Sequence, residues 1–341
     1  IYYLSVLGDV LYHPTPLYPL YPAPNSFFMP SQKIIIDTDP GQDDAIGILL
    51  ALASPAELDV LGIVTVAGNV PLSLTSRNAL ILCELANKTE TKVFAGCSRP
   101  LVRPLVTAEH VHGKTGLDGA ELPPPTMSLQ KQHGVDWTIE TLLEAEDNSI
   151  TICCFAPLTN VAMAMIKAPQ ILPKIKNIVM MGGGYFEGGN ITPTSEFNIF
   201  VDPHAASTVL SCGRPLVMLP LDVTHKALMQ RKWLEDLKAL GTPVGDAAFG
   251  MMSFYERFDL EKYGSGGGPL HDPTVIAYLL QQELFEGKFV NVEIEISSEL
   301  TMGMTVVDWW KVTDRPPNVT YINQINADGF FQLILKRLAI L

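Results

Sequence analysis

Residues Asp37–Asp44 read DTDPGQDD, four carboxylates within eight residues. Acids this close repel one another unless a positive charge holds them, they stay solvated, or some take up protons. Asp37 and Asp39 stand two apart at the end of the apolar run KIIID, so on a strand they point to the same side. Pro40 and Gly41 turn the chain. Asp43 and Asp44 then open the apolar stretch DDAIGILLALAS, a helix start where backbone N–H groups and the macrodipole favour negative charge. One helix end does not neutralise four carboxylates, whereas a hard divalent cation does; calcium accepts about six to eight oxygens from carboxylates, carbonyls and water. The simpler reading is a capped helix with solvated acids. It suits a single Asp better than D-x-D-P-G-x-D-D after a buried strand, and the pattern favours a metal.

Two of the seven histidines lie in glycine-flanked, loop-like motifs, His112 in VHGKTGLDG and His271 in PLHDP. Imidazole titrates near neutrality, which suits it to proton donation. His13, His133, His204 and His225 are read as carrying no chemistry. The aromatics of FYERFDLEKYGSGGG (Phe254, Tyr255, Phe258 and Tyr263) are open to two readings, a lid that stacks on a ligand or a helix with its rings in the core. The five cysteines form no C-x-x-C pair and lie mostly in apolar runs. They read as free thiols in a reducing compartment, and no Cys/His spacing of the metal-binding type occurs.

The acids and histidines need elements to position them. KIIID, LDVLGIVTVAG, KVFAG, SITICCFA, NIVMMGG and RPLVMLP are apolar runs of strand length, and helical stretches such as PLSLTSRNALILCELAN, PLTNVAMAMIKAP and DPHAASTVLSC follow or separate them. This alternation predicts an α/β fold: an open, mostly parallel, Rossmann-like sheet flanked by helices. Its ligand site then lies at the carboxyl ends of the strands. Arg99–Gly134 reads as loop, Gly264–Pro269 as a flexible segment, FVNVEIEISSELTMGMTVVDWW as paired strands and NADGFFQLILKRLAIL as a closing helix. Residues 1–32, rich in Tyr and Pro and without the features of a secretory signal, are read as an N-terminal extension, with Met29 as the native start. The single main domain is 33–341.

The chain has 341 residues, 47% hydrophobic, and a formal net charge of −13. Such a surface repels nucleic-acid backbones and anionic membranes, so neither is an expected partner. No long apolar run suggests a membrane span, and a cytoplasmic location is expected.

DTDPGQDD closely resembles the corresponding block of the nucleoside hydrolases. VTVAGN (Val64–Asn69), HGKTGLDG (His112–Gly119), APLTNVAMA (Ala156–Ala164), MGGG (Met181–Gly184), GNITPTSEFNIFVDP (Gly189–Pro203) and PLHDP (Pro269–Pro273) resemble further family blocks, in the family's order. The resemblance implies calcium-dependent hydrolysis of the N-glycosidic bond of ribonucleosides to free base and ribose, through an oxocarbenium-like transition state. It implies a calcium site made by Asp39, Asp44, Asp272 and the backbone carbonyl of Phe155, with Asp39 also activating a metal-bound water. Asp37 then orients the other acids. Asp43, Asn69, Asn190, Glu196 and Asn198 hold the ribose, and Met181 lines the pocket. His112 and His271 match family members with histidine at both positions; one of them protonates the leaving base, and His271 is the better placed to touch it. The implied partner is a small-molecule nucleoside, and the implied assembly a homo-oligomer, dimer or tetramer. Two other readings remain at this point: a phosphohydrolase with a D-x-D nucleophile, whose usual D-x-D-G-T-like turn is missing, and a non-catalytic calcium- and ribose-binding homologue.

Overall fold

The computed structural model describes residues 31–264 and 267–341. Of the N-terminal extension, all but its last two residues lie outside the described residues; so do Ser265 and Gly266 of the glycine-rich segment. In chain order the elements are β1 (Gln32–Thr38), α1 (Gln42–Leu52), β2 (Leu58–Thr65), α2 (Leu72–Leu85), β3 (Val93–Ala95), α3 (Glu109–His112), α4 (Gly134–Glu144), β4 (Ile150–Cys154), α5 (Thr159–Lys167), β5 (Ile175–Met181), α6 (Phe197–Val201), α7 (Pro203–Leu210), β6 (Leu216–Leu219), α8 (Leu221–Thr224), α9 (Arg231–Ala239), α10 (Pro243–Tyr263), α11 (Pro273–Leu280), β7 (Phe285–Val290), β8 (Val292–Ile294), β9 (Thr305–Val307), β10 (Val319–Ile325) and α12 (Ala327–Leu338).

The central sheet has the order β3-β2-β1-β4-β5-β6-β10-β7. All neighbours are parallel except β10 and β7. This is the mixed, mostly parallel α/β sheet anticipated from the run of apolar strands. Successive side chains on a strand enter opposite cores. Ile34 and Ile36 of β1 pack with α1, α2, α10, α11 and α12, while Ile35 packs with α4, α5 and α7 on the other face. Helices on both faces explain why these strands are continuously apolar rather than alternating.

The chain steps from β1 outward through β2 to β3, then returns to place β4 on the other side of β1. This reversal opens a crevice beyond the carboxyl ends of β1 and β4, where ligands bind in open α/β sheets. Asp39 follows β1 and Phe155 follows β4, so the topology brings these distant segments together.

Several features differ from the sequence reading, the first being the one-turn helix α3 (Glu109–His112) inside the stretch Arg99–Gly134 that reads as loop. β7 joins the main sheet, whereas β8 and β9 pair separately in an antiparallel two-stranded sheet. β10 does not show as an apolar run in the sequence, because its inward residues are separated by Thr320, Asn323 and Gln324. α11 has no helical signature in the sequence, because PTVIAYLL is apolar almost all round and shows no amphipathic stripe.

Gly47 of α1 lies under the Phe155 ring, where an added Cβ would come 2.9 Å from Cε2. Both residues are buried. Gly47→Val is therefore expected to lower the unfolding free energy by about 1–3 kcal/mol through overpacking, as read from urea titrations. Unchanged stability would contradict this packing.

Candidate active site

The acids of DTDPGQDD are not solvated. Asp37, Asp39, Asp43 and Asp44 are between 0% and 4% exposed, and Asp272 is 4% exposed. Asp44 is satisfied locally. Its Oδ2 accepts the Gly41 N–H (3.0 Å) and the Asn69 amide (3.0 Å), and its Oδ1 accepts the Thr38 hydroxyl (2.5 Å) and the Asp39 N–H (3.2 Å). The capped-helix part of the simpler reading thus holds for Asp44, which closes the first turn of α1. Asp39 accepts the Asn69 N–H at 2.7 Å through Oδ2, and Asp37 accepts the Asn160 amide at 2.9 Å. One oxygen on each of Asp37, Asp39 and Asp43 is buried with no hydrogen-bond partner.

Asp272 arrives from more than two hundred residues away at the start of α11. Its side chain does not cap that helix but joins the cluster: oxygens of Asp43, Asp44 and Asp272 all lie within 4.8 Å of one another. Burial is the main force raising these pKa values. It pushes Asp43 up to about 7, with the Asp44 charge adding to it. Asp39 and Asp272 are pushed well above the usual carboxylate range, first by burial and then by neighbouring acids. Asp44 is raised by burial alone, against the pull of its hydrogen bonds.

Such a cluster suits a cation. The donors are all oxygen, the choice of a hard divalent ion, and the partnerless oxygens of Asp39 and Asp43 are the atoms that a positive charge would satisfy. The compact trio contains Asp43 in the place that the sequence reading gave to Asp39. Asp39 lies beside it, close enough for its charge to raise Asp272. The Phe155 carbonyl, the proposed backbone ligand, accepts the Asn198 amide at 2.7 Å.

One cavity gathers most of the residues singled out in the sequence. Asp43, Asn69, His112, Phe155, Met181, Asn190, Glu196, Asn198, His271 and Asp272 all line it, whereas Asp37, Asp39 and Asp44 are not among its lining residues. Asn69 comes from the turn after β2, and Gly68 lets that turn approach, since a Cβ there would meet Asp39 Oδ2 at 2.0 Å. Glu196 caps α6, its oxygens accepting the backbone N–H groups of Gly183, Asn198 and Ile199. Burial lifts its pKa to about 7 against those bonds. Asn190 holds the same segment by accepting the Phe197 N–H at 2.9 Å.

The sequence reading set His225 aside, yet it lines the cavity with its ring 5.8 Å from that of His271. Its place just beyond the strand RPLVMLP was the available signal. His110 also lines the wall, edge-on to Phe258 at 5.5 Å. Tyr255 and Phe258 both belong to helix α10 and line the cavity, while Tyr255 is also buried in the hydrophobic core; the side chain of Tyr263 lies outside what the structure describes.

Asp37 tests the burial argument. Its pKa is raised from 3.8 to about 7, chiefly by desolvation. A carboxyl with a raised folded-state pKa keeps its full stability in acid and loses it as pH rises through that window. In chelator, the stability of Asp37→Asn relative to wild type is expected to rise by on the order of 2 kcal/mol between pH 5 and pH 8, measured by urea unfolding. A difference independent of pH would refute the shift.

Comparison with known proteins adds a second line of evidence. The model of the inosine-uridine preferring nucleoside hydrolase family matches residues 34–332. The chain is 51% identical to an uncharacterized Schizosaccharomyces pombe protein over 306 residues, 90% of this chain and 98% of that one. It is 44% identical to the pyrimidine-specific ribonucleoside hydrolase RihA of Enterobacter over 307 residues, 90% of this chain and 97% of that one. Among solved structures it is similar to the plant nucleoside hydrolase PpNRh1, with a TM-score of 0.86, 31% identity, and coverage of 91% of this chain and 99% of that one. The chain belongs to the inosine-uridine preferring nucleoside hydrolase family, and its chemistry is that of a ribonucleoside hydrolase.

Proposed function

We propose that this protein hydrolyses the N-glycosidic bond of pyrimidine ribonucleosides with calcium as its resident cation. The observation that supports this best is the convergence of the Asp43–Asp44–Asp272 cluster with the polar residues of GNITPTSEFN in one cavity. The pyrimidine preference follows relatives at 44% identity that are named pyrimidine-specific. Asp39, Asp44, Asp272 and the Phe155 carbonyl would hold the cation. Bound there, calcium counters the buried negative charge and helps to order the ribose hydroxyls and the attacking water.

The chain's own groups supply the rest. Asp39 has a partnerless Oδ1 and a raised pKa, which makes it the base that takes a proton from the attacking water. Asp43, in the cavity lining, grips the ribose hydroxyls together with Asn69, Asn190, Glu196 and Asn198. Negative charge around the sugar favours the positive ribosyl that develops as the bond to the base breaks. Asp37, held by Asn160, braces the end of β1. Met181 packs against the sugar from the end of β5. On the leaving side, His271 donates a hydrogen bond to the base, while Tyr255 and Phe258 wall off water.

Release of ribose from uridine, cytidine, inosine and adenosine, assayed side by side with and without chelator, tests the reading. Turnover is expected to favour the pyrimidine nucleosides, to vanish in chelator and to return with calcium. Asp39→Asn should lower kcat by about 10²–10⁴-fold, the range for loss of a positioned base. Calcium at 100 times its Kd should stabilise the fold by about 2.7 kcal/mol, and Asp272→Asn should abolish most of that gain. Full activity in chelator would exclude the cation, and wild-type kcat in Asp39→Asn would exclude its role.

A further inference from the structure

Two of the four cavity histidines, His112 and His271, are held in opposite ways, and the difference begins with Gln42, which stands inside the acidic motif. Gln42 is fully buried at the first position of α1. Its Nε2 donates to the carbonyls of His112 (2.9 Å) and Asp118 (3.1 Å). Turning the amide over would set its oxygen against two carbonyl oxygens with no hydrogen between them, so the orientation is fixed. Gln42 Oε1 therefore faces His112 Nδ1, at 2.8 Å. An amide oxygen only accepts, so Nδ1 must carry a hydrogen.

Burial lowers the His112 pKa to about 3, with the His110 charge adding to the effect, so the ring is neutral at neutral pH. A neutral imidazole protonated on Nδ1 has a bare lone pair on Nε2. The Nδ1 edge is pressed against the α1 start: a Cβ on Gly41 would lie 2.4 Å from Nδ1 and 2.7 Å from Cε1. His112 nonetheless lines the cavity, and its Nε2 is not among the buried partnerless atoms. The Nε2 lone pair is thus what it offers to a ligand.

His271 has the reverse polarity. Its Nδ1 lies 2.7 Å from the hydroxyl of Thr224, which is fully buried. That hydroxyl has no other acceptor among the described residues, so it donates to Nδ1. A neutral His271 then carries its hydrogen on Nε2.

We propose that Gln42 is a positioning residue that locks His112 as the Nδ1–H tautomer, so that His112 accepts a hydrogen bond from a ring N–H of the nucleobase and leaves donation to the departing base to His271. This rests on the ribonucleoside-hydrolase reading of the cavity. It gives the pocket one acceptor and one donor, complementary to a base edge where a ring N–H adjoins a carbonyl, as in uracil or hypoxanthine.

Two measurements on the full-length, calcium-loaded protein test it. With ¹⁵N-histidine labelling, long-range proton–nitrogen correlation at neutral pH should show His112, assigned by its loss in His112→Ala, with a protonated Nδ1 and an unprotonated, pyridine-type Nε2. Gln42→Leu should shift that signal toward the Nε2–H form. A wild-type spectrum with hydrogen on His112 Nε2 overturns the proposal, whether or not the Gln42 variant folds. In kinetics, blocking the ring N–H should cost the wild type about tenfold in kcat/KM, the order of one lost hydrogen bond. The comparison is uridine with 3-methyluridine, or inosine with 1-methylinosine, whichever parent is hydrolysed faster. His112→Ala should bring that ratio close to one; an unchanged ratio also overturns the proposal. If the wild type hydrolyses no nucleoside, the functional reading fails, and the tautomer spectrum still decides the lock.

Discussion

Buried negative charge with no basic partner among the described residues is the constraint around which this molecule is arranged. Five carboxylates, Asp37, Asp39, Asp43, Asp44 and Asp272, lie together almost out of contact with water. Among the described residues, no lysine or arginine lines the cavity. An isolated buried carboxylate is costly, and several together are more so unless they share protons or a cation. The surrounding protein answers with neutral donors: the Thr38 hydroxyl, the Asn69 and Asn160 amides, and backbone N–H groups at the start of α1. These hold the carboxylates in place without cancelling their charge. That residual charge suits the site both to a hard cation and to a ribosyl group that becomes positive as its bond to the base breaks.

The architecture explains how so many polar groups reach one place. At the carboxyl ends of parallel strands the chain leaves the sheet, and its side chains are released from packing on either face. The reversal of strand order at β1 and β4 opens the sheet edge-on there, and β2, β5 and β6 bring Asn69, Met181 and His225 to the same rim. Glycines serve this convergence by removing Cβ atoms at close approaches. Gly41 gives the His112 ring room against α1, and Gly68 lets its turn meet Asp39. The lining of the cavity therefore combines carboxylates, amides, and imidazole and aromatic rings.

The degree to which this was legible in sequence follows the range of the interactions. The parallel sheet could be read because each of its buried strands is a contiguous apolar run. The D-x-D-P-G-x-D-D stretch could be read because its acids, its turn and its helix start are neighbours along the chain. β10 and α11 could not: the polar interruptions of one, and the uniformly apolar face of the other, acquire meaning only from the elements packed against them. His225 looks like an ordinary isolated histidine in sequence, and only the fold brings it to the cavity.

Sequence alone, then, determined the fold class, the acidic strand-end motif and the set of residue types able to do this chemistry, because those depend on local order and composition. Tertiary structure decided which of them meet and in what state. Only the folded chain excludes water from the acids, brings Asp272 against Asp43 and Asp44, and turns Tyr255 and Phe258 of α10 toward the cavity. It also gives Gln42 two carbonyls and an imidazole to bridge. Burial and hydrogen-bond direction are properties of contacts between distant segments, and no spacing along the chain encodes them.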